Sequence, residues 1–129
     1  MEKILFLYAG REGQTRRICE CMAGICRAEN KEVRLHALSE PDLRHALIEC
    51  DSVVIGASIH YGHLPEELYR FVAENRELIE FRHNAFFCVN LTARKPGKDT
   101  PQGSAYMRTF LKKSAWQPKN LAVFAGALL

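Results

Sequence analysis

Three short segments of the sequence carry residue types that could bind a ligand, and the first spans residues 9–15. It combines Gly10 and Gly13 with the Arg11 cation and the Thr15 hydroxyl. Glycines let a ligand approach the backbone closely, and the free N–H groups at a helix start attract anions. The segment therefore indicates a phosphate-binding loop, although an ordinary turn with Gly and Thr as turn and cap residues explains it equally well.

Three widespread phosphate motifs do not match this chain. A nucleotide P-loop ends in Gly-Lys-Ser/Thr, whereas Gly13 is followed here by Gln14-Thr15. A dinucleotide fingerprint needs three glycines, and this segment has two. A phospho-acceptor receiver needs an aspartate where this chain has Ser58-Ile59-His60. These three classes of protein are therefore set aside.

The second segment, residues 57–63, brings a hydroxyl, two imidazoles and a phenol into one loop. Ser58, His60, Tyr61 and His63 supply these groups, and Gly62 lets the backbone turn sharply. Aromatic and imidazole rings beside a phosphate loop could flank a flat ring system. In the alternative interpretation, Tyr61 only covers the edge of the sheet and binds no ligand, and the histidines are exposed loop residues.

The third segment, residues 90–98, is basic. It contains Arg94, Lys95 and Lys98, and cations at the mouth of a ligand site suit carboxylates or phosphates. Residues 82–129 carry 8 Lys and Arg against 1 acidic residue, in a chain whose net charge is +3. This asymmetry favours an anionic ligand or surface, or simply a solvated basic face. We expect no nucleic acid, because the sequence has no aromatic platform or recognition motif.

The elements that must position these segments follow from hydrophobic patterning. Apolar runs predict strands at Lys3–Tyr8, Lys31–His36, Asp51–Ile59, Asn84–Leu91 and Leu121–Leu128. Helical spacing predicts helices at Thr15–Glu29, from Ser39–Asp42 through Leu47, at Pro65–Ile79 and at Pro101–Lys113. Each of the three longer helices is expected to bury one apolar stripe. These stripes are Ile18, Cys21, Met22 and Ile25 in the first helix, Leu68, Phe71, Val72 and Leu78 in the helix from Pro65, and Tyr106, Phe110 and Leu111 in the helix from Pro101.

Strands and helices that alternate in this way predict an α/β fold with a doubly wound parallel sheet of five strands. Five strands suit the flavodoxin-like order 2-1-3-4-5, with the first helix on one face and the other three helices opposite. On the first helix's side, the outer part of strands 3, 4 and 5 is then expected to lack a cover. A missing last helix or another subunit would supply it.

Length and composition limit the number of domains and the class of protein. The chain has 129 residues, of which 47% are hydrophobic and 26% charged, so we expect one domain over residues 1–129. Its longest apolar run, Leu121–Leu129, is far shorter than the ~20 residues of a membrane-spanning helix. Met1-Glu2-Lys3 does not resemble the start of a secretory signal, so we expect a cytoplasmic location.

The five cysteines are expected to be reduced, because their number is odd and no secretory signal is recognised. Cys19-x-Cys21 lacks the two-residue spacer of zinc and redox motifs, so both thiols are expected to be small core residues and no metal site is expected. Cys88 and Arg94 have the spacing of a cysteine-dependent phosphatase loop. Since Cys88 lies within an apolar strand, a buried core thiol is the better interpretation.

Four strings in the sequence are similar to a known family. They are EGQTR at residues 12–16, VVIGASIHYGH at 53–63, VNLTARKP at 89–96, and TPQ…SAYMRTFL…W.P…AVFAGAL, which ends at Leu128. Together they resemble the bacterial quinone-dependent protoporphyrinogen oxidases, and the resemblance runs through essentially the whole chain.

The resemblance implies noncovalent FMN and the oxidation of protoporphyrinogen IX to protoporphyrin IX in haem biosynthesis. It also implies a membrane quinone, menaquinone or ubiquinone, as acceptor, and a peripheral position on the inner face of the cell membrane. The cofactor-binding positions that it implies are Gly10, Arg11, Glu12, Gly13, Gln14, Thr15, Ser58, Ile59, His60, Tyr61, Gly62, Asn90, Leu91, Thr92, Ala93 and Arg94. Candidate catalytic residues are His60, Tyr61, Arg94 and Lys95.

Two departures from the family favour an alternative function. The family has hydroxyl residues where this chain has Ala9 and Gly10, and each lost donor costs about 1 kcal/mol or more of FMN binding. Family members also continue past strand 5 through a basic, aromatic-rich insertion and a final helix. The alternative is a truncated flavodoxin-like protein that binds FMN weakly or not at all and acts through association, including formation of a homo-oligomer.

Overall fold

The computed structural model describes residues 1–10, 13–90, 93 and 95–125. Five parallel strands form one sheet in the order β2-β1-β3-β4-β5, which confirms the predicted topology. The strands are β1 (Lys3–Ala9), β2 (Glu32–Ala37), β3 (Ser52–Ser58), β4 (His83–Asn90) and β5 (Leu121–Ala125). The predicted limits of β1 to β3 are correct to within one residue, and the predicted end of β5 lies outside the described residues.

The helices are α1 (Gln14–Ala28), α2 (Leu43–Glu49), α3 (Glu66–Glu74), α4 (Arg76–Glu80) and α5 (Ala105–Lys113). The single helix predicted at Pro65–Ile79 is wrong, because the chain breaks between α3 and α4. At Asn75 the backbone N–H and the side-chain Nδ2 both donate to the Phe71 carbonyl, at 3.0 and 2.9 Å, and this ends α3. Apolar residues occur at helical spacing on both sides of Asn75, so the sequence pattern did not predict the break.

Two other helix starts differ from the prediction. The helix predicted from Pro101 begins at Ala105, because the Ser104 hydroxyl accepts a hydrogen bond from the Met107 N–H at 3.2 Å and caps α5. The helix predicted from Ser39–Asp42 begins only at Leu43, since Asp42 has a left-handed backbone conformation with φ +63°. Among the described helices, none is both long and apolar enough to cross a bilayer.

The sheet separates two clusters of buried side chains. α1 covers one face, over Phe6, Phe87 and Val89, and α2 to α5 cover the other face, as predicted. The predicted stripe of α1 is partly wrong. Cys19 and Ala23 are fully buried, whereas Ile25 is 62% exposed and Cys21 is exposed. Small residues at the centre of the buried face let the helix lie close to the sheet, and the larger Ile25 falls outside that face.

We expected the outer strands of the sheet to be uncovered on the α1 side. The structure shows that β4 is buried there and that β5 is partly exposed. Phe87 and Val89 of β4 are each 2% exposed, so this part is buried. The Phe87 ring occupies the space beside Gly56 that a Cβ would need, and it packs edge-on against Phe124 at 5.4 Å. Phe124 of β5 remains 37% exposed.

Candidate functional site

The three candidate ligand-binding segments follow β1, β3 and β4, at the carboxyl ends of these strands. The chain order reverses between β1 and β3, which is where open α/β sheets bind ligands. Ala9 of β1 pairs with Ala57 of β3, and Ser58 pairs with Val89 of β4, so the three strands end together. The Ile59 N–H donates to the Val89 carbonyl at 3.0 Å and ties the second segment to β4.

The first segment has the features of an anion site. α1 begins after Gly13, which has φ +78°, and no described side chain caps it. Thr15 is 2% exposed, and its Oγ1 finds no hydrogen-bond partner among the described residues. A buried hydroxyl without a partner costs about 1–3 kcal/mol, so a ligand that pairs with it would relieve that cost. Thr15 therefore fits a phosphate held at the start of α1.

Gly10 brings a second hydroxyl to the same place. A Cβ on Gly10 would lie 3.3 Å from Thr15 Oγ1 and would overlap Ser58 Oγ. The Ser58 hydroxyl thus occupies the space that a side chain at position 10 would use. The chain lacks a hydroxyl at Gly10, but Ser58 supplies one beside it.

The second segment contains a tight turn that presents an aromatic ring. The backbone N–H groups of His60 and His63 donate to each other's carbonyl oxygens, at 2.8 and 3.1 Å. Tyr61 and Gly62 between them have φ +51° and +77°, as in a type I′ turn. Tyr61 is 88% exposed, and its ring centroid lies 4.3 Å from that of His60. A bulky residue in this conformation is strained, and such strain clusters at ligand sites.

A cleft of about 530 Å³ opens beside this turn. It is lined by Gly10, Ser58, His60 and His63, together with Ser39 from the segment after β2. Sequence reasoning missed Ser39. Because β2 lies next to β1 in the sheet, the residues that follow β2 reach the same edge, and the predicted strand order contained this information.

The third segment is only partly described. Asn90 is 6% exposed, and its Oδ1 accepts a hydrogen bond from the Ala93 N–H at 2.9 Å, which turns the chain after β4. Lys95 and Lys98 are exposed, and the Lys98 N–H donates to the Lys95 carbonyl at 3.0 Å. The other predicted site positions lie outside the described residues; they are Arg11, Glu12, Leu91, Thr92 and Arg94.

The cysteines have the properties of structural thiols. Burial raises the pKa of Cys88 to about 11, although Asn90 and Ser104 partly oppose the shift, and burial raises that of Cys19 to about 12. A Cys88 thiolate is therefore scarce at neutral pH, which disfavours a phosphatase. The prediction that Cys21 is a core residue is wrong, since that side chain is exposed. No group of three metal-binding side chains occurs in residues 1–10, 13–90, 93 and 95–125.

Five parallel strands in the order 2-1-3-4-5 are the architecture of the flavodoxin-like class of proteins. The family model described as a flavodoxin domain matches residues 5–129. Solved flavodoxins share the fold: two-electron reduced Megasphaera elsdenii flavodoxin has a TM-score of 0.68 at 10% identity, covering 94% of this chain and 85% of that one. An archaeal flavodoxin has a TM-score of 0.60 at 16% identity, covering 97% and 85%.

Two curated relatives are much closer in sequence. Protoporphyrinogen IX dehydrogenase (quinone) of Escherichia coli K12 is 41% identical over 98% of this chain and 69% of its own length. The protein of the same name from Leishmania major is 38% identical over 98% of this chain and 54% of its own length. The chain therefore belongs to the flavodoxin domain family and, within it, to the protoporphyrinogen IX dehydrogenase (quinone) family of oxidoreductases.

Proposed function

We propose that this chain binds FMN noncovalently and oxidises protoporphyrinogen IX to protoporphyrin IX, with menaquinone or ubiquinone as acceptor, in haem biosynthesis. The observation that carries this proposal is the buried Thr15 hydroxyl, which lacks a partner among the described residues at the uncapped start of α1. A phosphate monoester is an acceptor of the right charge for that position. The names of the two curated relatives support the choice of substrate and acceptor.

The residues present fit the cofactor. The N–H groups at the start of α1 and the hydroxyls of Thr15 and Ser58 would hold the phosphate, with Arg11 and Glu12 completing that loop. The segments Ser58–Gly62 and Asn90–Arg94 would hold the ring. When bound, FMN would supply the hydride-accepting chemistry.

The chain's own side chains would then orient the substrate and move its protons. Tyr61 would cover the ring and exclude water, and His60, whose imidazole borders the cleft, would accept a proton from the tetrapyrrole. Arg94, Lys95 and Lys98 would pair with its propionates. Because the quinone acceptor lies in the bilayer, we place the working enzyme against the cytoplasmic surface of the membrane, where the basic residues of 82–129 favour anionic lipid.

The test begins with the visible spectrum of the protein after addition of FMN and desalting. We expect a retained flavin spectrum, followed by quinone-dependent formation of fluorescent protoporphyrin IX under anaerobic conditions. The double variant Arg94→Ala/Lys95→Ala should raise the KM for porphyrinogen, while Lys119→Ala, a basic residue before β5, serves as the matched control. A colourless protein without turnover would contradict the proposal and favour the alternative, a weakly binding protein that acts through association.

A further inference from the structure

A second cavity lies between α3 and α5, adjacent to the His60–His63 turn. Its volume is about 270 Å³. Tyr106, Thr109 and Lys113 line it from α5, and Glu66 and Tyr69 line it from α3. The three α5 residues are three and four positions apart, so they share one face of the helix. Gly62 belongs both to this lining and to the aromatic turn, so the cavity lies next to the candidate ring site.

Lys113 is held in place at this cavity by two contacts. Its Nζ lies 2.7 Å from Glu66 Oε1 and 4.2 Å from the centroid of the Tyr69 ring. An ammonium has three N–H donors, and Glu66 is its only hydrogen-bonded acceptor among the described residues. The hydrogen bond to Glu66 raises the pKa of Lys113, so the side chain is positively charged at neutral pH. The ammonium therefore has donors available for a second carboxylate.

The other polar groups of the cavity are compatible with such a ligand. Burial raises the pKa of Tyr69, so its hydroxyl is protonated at neutral pH, and Tyr106 and Thr109 each bring a further hydroxyl to the lining. The volume is slightly below the roughly 300–1,000 Å³ of pockets that enclose a whole drug-sized molecule. The space therefore suits one arm of a large ligand whose body lies elsewhere.

We propose that this cavity receives one propionate arm of the tetrapyrrole, with the Lys113 ammonium as its ionic partner. The inference rests on the proposed function, because the body of the tetrapyrrole would lie over the flavin ring at the neighbouring turn. It adds a specificity-determining residue on α5 to the cations of the third segment. A propionate that extends past Gly62 reaches Lys113, while the second one remains available to Lys95 and Lys98.

The experiment compares Lys113→Met with Lys112→Met. Methionine keeps a long unbranched side chain beside the Tyr69 ring but removes the charge, and Lys112 is an exposed neighbouring cation outside the cavity lining. Protoporphyrin IX, the product, is titrated into the FMN-loaded proteins and followed by its fluorescence. Its dimethyl ester, which has no carboxylate, is titrated in parallel.

We expect Lys113→Met to raise the Kd of protoporphyrin IX about 5-fold, a modest loss because the lysine is half-exposed. The Kd of the dimethyl ester should not change, and Lys112→Met should bind both ligands like the wild type. In the FMN-loaded enzyme, Lys113→Met should raise the KM for protoporphyrinogen IX by a similar factor and leave kcat nearly unchanged.

Three results would overturn the inference: no porphyrin binding by the wild type, equal Kd values in the two variants, or an equal loss for acid and ester. Equal losses for acid and ester would mean that Lys113 acts through packing rather than charge. The titration measures binding and needs no turnover. Failure of the FMN-loaded wild type to oxidise porphyrinogen would instead contradict the proposed function, and the two failures are therefore distinguishable.

Discussion

At the scale of single residues, the hydroxyls around Gly10 determine how well the proposed site would bind a phosphate. Thr15 is buried and lacks a partner among the described residues, and Ser58 fills the space beside Gly10. Sequence patterning identified Gly10, Thr15 and Ser58 separately. It could not place Ser58 next to Gly10, because that contact depends on the register between β1 and β3.

The variant Thr15→Val tests the role of the buried hydroxyl. Valine has nearly the same shape, so the flavin-free protein should become about 1 kcal/mol more stable as the unpaired group is removed. FMN affinity should fall about 10-fold, since a hydrogen bond to a charged acceptor is lost. Urea unfolding and FMN titration measure the two effects. Riboflavin, which lacks the phosphate, is the control ligand, and an equal loss of riboflavin affinity would contradict a phosphate contact.

The variant Gly10→Ser tests whether restoring a hydroxyl at position 10 helps. Comparison with the family alone suggests tighter FMN binding, but the new Cβ would overlap Ser58 Oγ, and Gly10 has φ +155°. We therefore expect weaker FMN binding, by roughly 1–3 kcal/mol. The double variant Gly10→Ser/Ser58→Ala removes the overlapping oxygen and should recover part of the loss. If the single variant bound FMN more tightly than the wild type, the steric argument would be wrong.

At the scale of elements, Asn84 joins the start of β4 to the segment between α5 and β5. Its Oδ1 accepts from Trp116 Nε1 at 3.2 Å and from the Lys119 N–H at 2.8 Å, and its Nδ2 donates to the Arg82 carbonyl at 3.0 Å. The side chain is 3% exposed. This network fixes where β5 begins, although the sequence at Asn84 shows only a polar residue at a strand end.

Asn84→Leu should therefore destabilise the fold by about 2–4 kcal/mol, because it leaves several buried groups without partners. His83→Ala, at the exposed neighbouring position, should change the free energy of unfolding by less than about 0.5 kcal/mol. Urea unfolding measures both. A small loss for Asn84→Leu would mean that water replaces the side chain, which would contradict its role in holding β5.

The N-terminal strand ends are joined through Glu2, and this contact is pH-dependent. Glu2 accepts from Lys31 Nζ at 2.6 Å and from Ser52 Oγ at 3.1 Å. The hydrogen bond from Lys31 lowers the pKa of Glu2 below its ordinary value of 4.5. The contact therefore stabilises the folded protein above pH 4.5, and this contribution is lost as the pH falls through the lowered pKa.

Glu2→Gln should accordingly be less stable than the wild type at pH 7, and the difference should shrink on acidification below pH 4.5. Thermal unfolding of both proteins between pH 3 and 7 (roughly the range in which carboxylates titrate) measures it. Glu74→Gln, at the exposed end of α3, is the matched control. A difference that stays constant with pH would show that the charge of Glu2 does not stabilise the strand ends.

At the scale of the whole molecule, the sequence was sufficient for the topology and insufficient for the fine placement of helices. Apolar strands that alternate with helices predicted a doubly wound parallel sheet, for which the 2-1-3-4-5 order is a common arrangement, and the structure confirms it. The break at Asn75 and the buried Cys19 and Ala23 of α1 depend on competing hydrogen bonds and on close helix–sheet packing. Local periodicity does not report such tertiary effects. The cavity at Lys113 likewise appears only when α3 and α5 are packed together.

Because the candidate cofactor site joins segments that follow β1, β3 and β4, FMN should stabilise the molecule as a unit. Binding to the folded state alone, at 100 times its Kd, adds about 2.7 kcal/mol, which is roughly 5–15 °C in Tm for a chain of this size. Riboflavin at the same concentration should give a smaller shift, because it lacks the phosphate that Thr15 and the start of α1 would hold. Scanning calorimetry with each ligand measures the difference. Equal shifts would contradict a phosphate site at α1, and no shift with either ligand would contradict flavin binding itself.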